Sequence, residues 1–173
     1  RVLTSRIAHL VKDMGVSPFN ILAITFTNKA ANEMKERLEK MVGDIEELWV
    51  CTIHSMCVRI LRSDIDKLGY NRNFSIYSET DKEKVLKRII VTLGFEADKY
   101  LKKAKNYISV IKNKDMSIEE FQKDYSWDRD IKDYVKIIEE YELELRKSNS
   151  LDFDDLLIKT YHLLAEYKDV LIK

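Results

Sequence analysis

The sequence predicts an α/β protein: a parallel sheet with helices, carrying an all-helical insertion. Three observations carry that prediction. Two strand-to-helix units follow one another, over 21–38 and 48–68, and strands that alternate with helical patterns are the mark of a parallel sheet. Between Thr80 and Asn149 the strand texture disappears and helical periodicity alone remains. Finally, 173 residues with 45% hydrophobic and 35% charged side chains, four Gly and one Pro, suffice for one domain with a real core and lack the turn residues of an all-β or disordered chain.

Each element has its own signal. Residues 2–14 place Val2, Leu3, Ile7, Leu10 and Val11 near helical spacing, and Gly15 with Pro18 closes the helix. Ile21-Leu22-Ala23-Ile24 is an unbroken apolar run, as expected of a strand covered on both faces. Asn28 is placed to cap the next helix, whose Ala31, Met34, Leu38, Met41 and Val42 lie near one stripe. Leu48 to Thr52 reads as a second strand, and Met56, Ile60, Leu61, Ile65 and Leu68 as a helix ending at Gly69. Phe74-Ser75-Ile76 fits a short strand or a loop.

Helical stripes then dominate, with Val85, Leu86, Ile89, Ile90 and Leu93 in one and Ile131, Tyr134, Val135, Ile138, Tyr141 and Leu145 in another. Ser117 and Glu120 stand in capping-box spacing. The stretch 79–149 reads as the helical insertion. Asp152 to Tyr167 reads as a last amphipathic helix with Phe153, Leu156, Leu157, Tyr161 and Leu164 inward.

Thirty basic and thirty acidic residues balance, so net charge neither demands nor excludes a nucleic-acid partner. The charge is segregated, however: 99–114 holds six Lys and no acid, whereas Glu139, Glu140, Glu142 and Glu144 crowd a later helix. The Lys-rich stretch reads as a solvated face or a phosphate-contacting surface. Two Cys and no signal-like segment fit a reducing, cytoplasmic setting, and no apolar run approaches a membrane span.

The chemistry concentrates at strand ends. In open α/β sheets ligands bind beyond the carboxyl ends of strands, where helix starts present free N–H groups. Thr25, Phe26, Thr27 and Asn28 occupy such an end: hydroxyls and an amide for phosphates, and an aromatic face for a base. On position alone, a core Phe26 and simple capping by Thr27 or Asn28 explain the cluster as well. Thr52, His54 and Ser55 form a matching cluster after the second strand. Cys51, His54 and Cys57 are zinc-type ligands, but they are divided between strand, turn and helix without an obvious fourth, and burial of both thiols accounts for them better. A nucleophilic Cys57 or Ser55 lacks an orienting carboxylate. The acids of "SLDFDDLL" follow a polar stretch and open a helix, so they read as partners of the helix dipole rather than as a metal site.

Together these segments resemble a known family. "ILAITFTNKAANEMKERL" resembles motif Ia of the UvrD/PcrA-type superfamily 1A ATP-dependent DNA helicases, and "CTIHSMCVRILR" resembles their motif Ib. "NRNFSIY", "ISVIKNKDMSIEEF" and "SLDFDDLL" follow in the family's order. The resemblance implies a partial RecA-like motor domain 1A over 1–78, the helical 1B insertion over 79–149 and a return to 1A over 150–173. It implies 3′→5′ movement on single-stranded DNA, with 1B engaging the single-strand/duplex junction, in repair or replication.

By the same resemblance, Thr25, Phe26, Thr27, Asn28, His54 and Ser55 would contact the strand, Lys112 and Asn113 the duplex, and Arg1 would lie near the nucleotide. ATP and Mg²⁺ would serve the full-length enzyme, through a phosphate loop just before Arg1 and an acidic strand after the last motif. The chain alone is expected to bind neither and to be inactive, and its partners are DNA and the remaining helicase domains, not a membrane. Ile53 stands where the family usually has Phe, and Met116 where Pro is common. The helicase subunit of a recombinational helicase-nuclease shares these motifs, and a non-enzymatic helical adaptor binding protein through its charged faces is the alternative from another class.

Overall fold

The computed structural model describes residues 2–172 and is mixed α/β, mostly helical, with two short parallel sheets. It divides into two compact units, Arg1–Cys57 and Val58–Lys173.

The first unit begins with helix α1 (Val2–Lys12), stopped where Gly15 takes a φ of +67° and the Val16 N–H donates to the Leu10 carbonyl. Strand β1 (Leu22–Thr25) leads into helix α2 (Asn28–Val42), and strand β2 (Trp49–Thr52) into helix α3 (Ile53–Asp64). The strands pair in parallel, with Ala23 opposite Val50 and Thr25 opposite Thr52. Ile7, Ala23, Ala31, Leu38, Ile45, Leu48 and Val50 form the core.

That core covers one sheet face only. Leu22 and Ile24, on the other side of β1, are 47% and 45% exposed, which corrects the expectation of a strand covered on both faces. An apolar run states that both faces avoid charge; it does not supply the second layer. The α1 stripe is also narrower than expected: Ile7 is buried, but Val2 and Leu3 are exposed.

In the second unit a 3-10 turn (Ile65–Leu68) ends at Gly69, in the left-handed conformation at φ +79°. Strand β3 (Ser75–Ile76) is a true strand, paired in parallel with β4 (Ser150–Leu151), an element with no sequence signal of its own. Between them run α4 (Glu79–Thr92), α5 (Ala97–Lys114), α6 (Ile118–Asp124) and α7 (Ile131–Lys147). Their inward stripes meet in a core that includes Leu86, Ile90, Ile108, Phe121, Ile138 and Tyr141. The Ser117–Glu120 capping box forms as spaced, Ser117 N–H to Glu120 at 2.9 Å and Glu120 N–H to Ser117 Oγ at 3.1 Å.

Helix α8 (Phe153–Glu166) and a short α9 (Lys168–Ile172) close the chain. The buried stripe of α8 is Asp155, Leu156, Thr160 and Leu163, with Phe153 and Tyr161 exposed, a rotation from the expected one. The cause is Asp152: it caps the helix and exchanges bonds with Asp155 at 2.9 and 3.1 Å, turning that face inward.

Candidate nucleic-acid interface

The strand ends of the first unit stand side by side because β1 and β2 pair in register. Both helices that follow begin in the same way. Thr27 caps α2, its Oγ1 accepting from the Ala30 N–H at 3.1 Å, and Thr52 Oγ1 accepts from the Ser55 N–H at 3.2 Å at the start of α3. Thr27 therefore holds the capping position expected of Asn28, which becomes the first helical residue. The reason is local: Thr27 has the extended backbone, φ −126° and ψ 151°, that a cap requires.

Thr25 Oγ1 donates to the Thr27 carbonyl at 3.0 Å, fixing the turn between them. Phe26 is thrown outward by that turn and is 99% exposed, so it is no part of the core. Asn28 Oδ1 accepts from Ser55 Oγ at 3.5 Å, and Ser55 Oγ lies 2.9 Å from Thr52 Oγ1. The two clusters are thus joined by side-chain hydrogen bonds. His54 sits half-buried in the first turn of α3. Two helix N-termini, several hydroxyls and an open aromatic face suit an anionic backbone and a stacked base.

Cys51 is half-buried and Cys57 buried, and neither is in a disulfide. Among the described residues no group of three or more His, Cys, Asp or Glu is arranged to hold a metal ion. Also in the first unit, Val2, Thr4, Ser5, Arg37, Lys40 and Met41 line an open cleft of about 910 Å³, which no sequence motif marked. Arg1 lies outside the described residues.

In the second unit Lys112, the expected duplex contact, is buried and paired. Its side chain is only 6% exposed, and its Nζ lies 3.0 Å from carboxylate oxygens of both Asp152 and Asp155. Glu142 Oε1 is 2.9 Å away, an ion pair without the alignment of a hydrogen bond. Lys82, also buried, stands 3.5 Å from Asp152, and the Tyr141 hydroxyl donates to the same carboxylate at 3.0 Å. The acids of "SLDFDDLL" thus do more than complement a helix dipole: all three pair with buried lysines, Asp154 with Lys82 at 3.5 Å.

Burial raises Asp155, and Asp152 and Glu142 add to that effect; against the pull of Lys112 it is pushed up to about 6. Burial would raise Asp152 too, but Lys112 and Lys82 hold it down at about 2. Burial alone would lower the Lys112 ammonium, yet attraction to Asp155, Glu142 and Asp152 keeps it above the ordinary lysine value. Asn113 remains exposed, its amide donating to Asp154 at 3.4 Å. The Lys-rich face of α5 is largely paired: Lys99 with Asp130, Lys103 with Asp128, Lys105 with Glu79 and Glu83. No helix among the described residues is long and apolar enough to cross a membrane.

Comparison with known proteins agrees with the strand-end motifs. The family described as UvrD/REP helicase N-terminal domain matches residues 1–173. The chain is 45% identical to the ATP-dependent DNA helicase PcrA of Bacillus subtilis over 175 residues, and 43% identical to that of Staphylococcus aureus over 173 residues. The Staphylococcus epidermidis protein of the same name is 41% identical. Each match covers 99% of this chain but only 23% or 24% of the relative, so the chain spans about a quarter of their length. On the evidence of a match along its whole length and these identities, the chain belongs to the UvrD/REP helicase N-terminal domain family.

Proposed function

We propose that this chain supplies part of the single-stranded DNA track of an ATP-dependent 3′→5′ DNA helicase of repair or replication. In this reading 1–78 and 150–173 belong to RecA-like domain 1A, and 79–149 is the 1B insertion facing the single-strand/duplex junction. The observation that carries it is Phe26, wholly exposed on a hydrogen-bonded turn between two capped helix starts. A core aromatic would not be held out in that way, whereas a base-stacking one must be. Thr25, Thr27, Asn28, His54 and Ser55 surround the path of the strand, and Asn113 is the residue left to reach toward the duplex now that Lys112 is committed inside.

ATP and Mg²⁺ are the cofactors of the full-length protein on this reading. The 173 residues contain no Gly-Lys-Ser/Thr loop to cradle the phosphates, so the residues present do not by themselves fit the nucleotide. ATP hydrolysis in the full-length protein would supply the drive for translocation, and the strand-end cluster of this chain would hold the track.

Fluorescence titration with labelled single-stranded DNA tests the proposal. Affinity falls as salt rises, through counterion release, and Phe26→Ala loses about 1–3 kcal/mol of stacking. Binding indifferent to both salt and Phe26→Ala would defeat the proposed site.

A further inference from the structure

We propose that Thr52 is a positioning residue that sets which end of the Asn28 amide faces the DNA. The proposal rests on the reading of the strand ends as a single-stranded DNA site and adds a polarity to it. The argument is one of counting hydrogens. Ser55 carries a single hydroxyl proton, and it is given to Asn28 Oδ1 at 3.5 Å. The 2.9 Å bond between Ser55 Oγ and Thr52 Oγ1 must then be donated by Thr52. Thr52 in turn accepts the Ser55 N–H at 3.2 Å, so its hydroxyl is used as both donor and acceptor.

Thr52 is buried and lies opposite Thr25 in the sheet, which fixes its position. The chain therefore runs from the Ser55 N–H through Thr52 and the Ser55 hydroxyl to the carbonyl end of Asn28. With Oδ1 occupied from behind, the Asn28 Nδ2 is left to face away from Ser55, and among the described residues it donates to no protein group. A site built this way presents N–H donors. It selects an acceptor, and beside two helix N-termini the fitting acceptor is a phosphodiester oxygen of the strand. The Ser55–Asn28 bond is long, so it orients the amide while leaving it free to follow the backbone as the strand moves.

The test is binding of a labelled oligothymidylate by the full-length protein carrying Thr52→Val, Thr52→Ser, Asn28→Ala, Asn28→Asp and Phe26→Ala, with Thr52→Val also made on Asn28→Ala. Thr52→Val is expected to weaken binding roughly three- to tenfold, the value of one hydrogen bond, and Thr52→Ser, which keeps the hydroxyl, to bind within about twofold of the parent. On Asn28→Ala, Thr52→Val should add less than about twofold, because its route to the strand is already gone. Asn28→Asp should weaken binding more than Asn28→Ala, since a carboxylate offers no donor and repels phosphate.

An equal loss from Thr52→Val with and without Asn28 would overturn the positioning role, as would a Thr52→Ser no better than Thr52→Val. If Phe26→Ala weakens binding but Thr52→Val does not, the DNA site stands and this proposal falls. If Phe26→Ala, Asn28→Ala and Thr52→Val all bind as the parent does, the DNA reading of the strand ends falls with it.

Discussion

Replacing Lys112 by Met removes a buried ammonium while keeping an unbranched chain of similar length, and the structure fixes what is left behind. Asp152 retains Lys82 at 3.5 Å and the Tyr141 hydroxyl at 3.0 Å, so it stays partnered. Asp155, which loses its 3.0 Å cation, keeps only Lys159 at 4.0 Å and faces the carboxylates of Glu142 and Asp152. Breaking one side of a buried ion pair costs about 3–5 kcal/mol when the surviving charge is left uncompensated, and the more distant Lys159 places the expected loss toward the lower end. For a chain of this size that corresponds to a melting temperature lower by about 6–20 °C.

The deficit should also depend on pH in a definite direction. Asp155 is raised in the folded protein to about 6, so its cost develops as pH rises from the ordinary aspartate value through that region and is absent below it. Without Lys112 it is raised further, and the folded variant binds a proton that the unfolded chain does not. Lys112→Met is therefore expected to be most destabilised near about pH 8 and to recover part of the loss near about pH 5.5. Thermal denaturation followed by circular dichroism at the two pH values reads this directly. A loss below about 1 kcal/mol, or one equal at both pH values, would refute the account of Lys112 as the counter-ion of a buried acid cluster.

Two further outcomes follow from other features. Asp128 is buried and accepts from Tyr107 at 2.7 Å, Lys103 at 2.6 Å and the Asp130 N–H at 3.1 Å, so Asp128→Asn should cost about 1.5–3 kcal/mol in urea denaturation at neutral pH. Burial would raise Asp128, but the bonds from Lys103 and Tyr107 hold it below the ordinary aspartate value; its stabilisation is present above that value, is lost as pH falls through the depressed one, and should be missing from the acid limb of the Asn variant. The 173 residues contain no Gly-Lys-Ser/Thr phosphate loop, so the chain by itself should release no phosphate from ATP, with or without single-stranded DNA. A DNA-stimulated phosphate release assay checks this, and turnover would show that another part of the chain holds the nucleotide.

What could be read from the sequence was largely what acts over three or four residues. The helical stripes of α4 and α7, the capping box at Ser117 and Glu120, the stops at Gly15 and Gly69, and the two strand-to-helix units are all present. The strand-end cluster was readable for the same reason: a strand that ends in Thr-Phe-Thr-Asn before a helical stripe leaves few places for those side chains. Its one local error, Asn28 for Thr27 as cap, is a shift of one residue between two competent capping side chains.

The sequence by itself determined the family, the order of the elements and the polar character of the strand ends, because motif spacing, periodicity and capping are properties of neighbouring residues. Tertiary structure alone decided the rest. β4 is two residues long and exists only because Ser150 and Leu151 meet Ser75 and Ile76, about half the chain away. Lys112 and Lys114 look alike in the Lys-rich run, yet Lys112 is drawn inside by Asp152, Asp155 and Glu142, carboxylates 30 to 43 positions further along. Burial and charge pairing depend on what distant segments bring to the same place, and no local pattern contains that information.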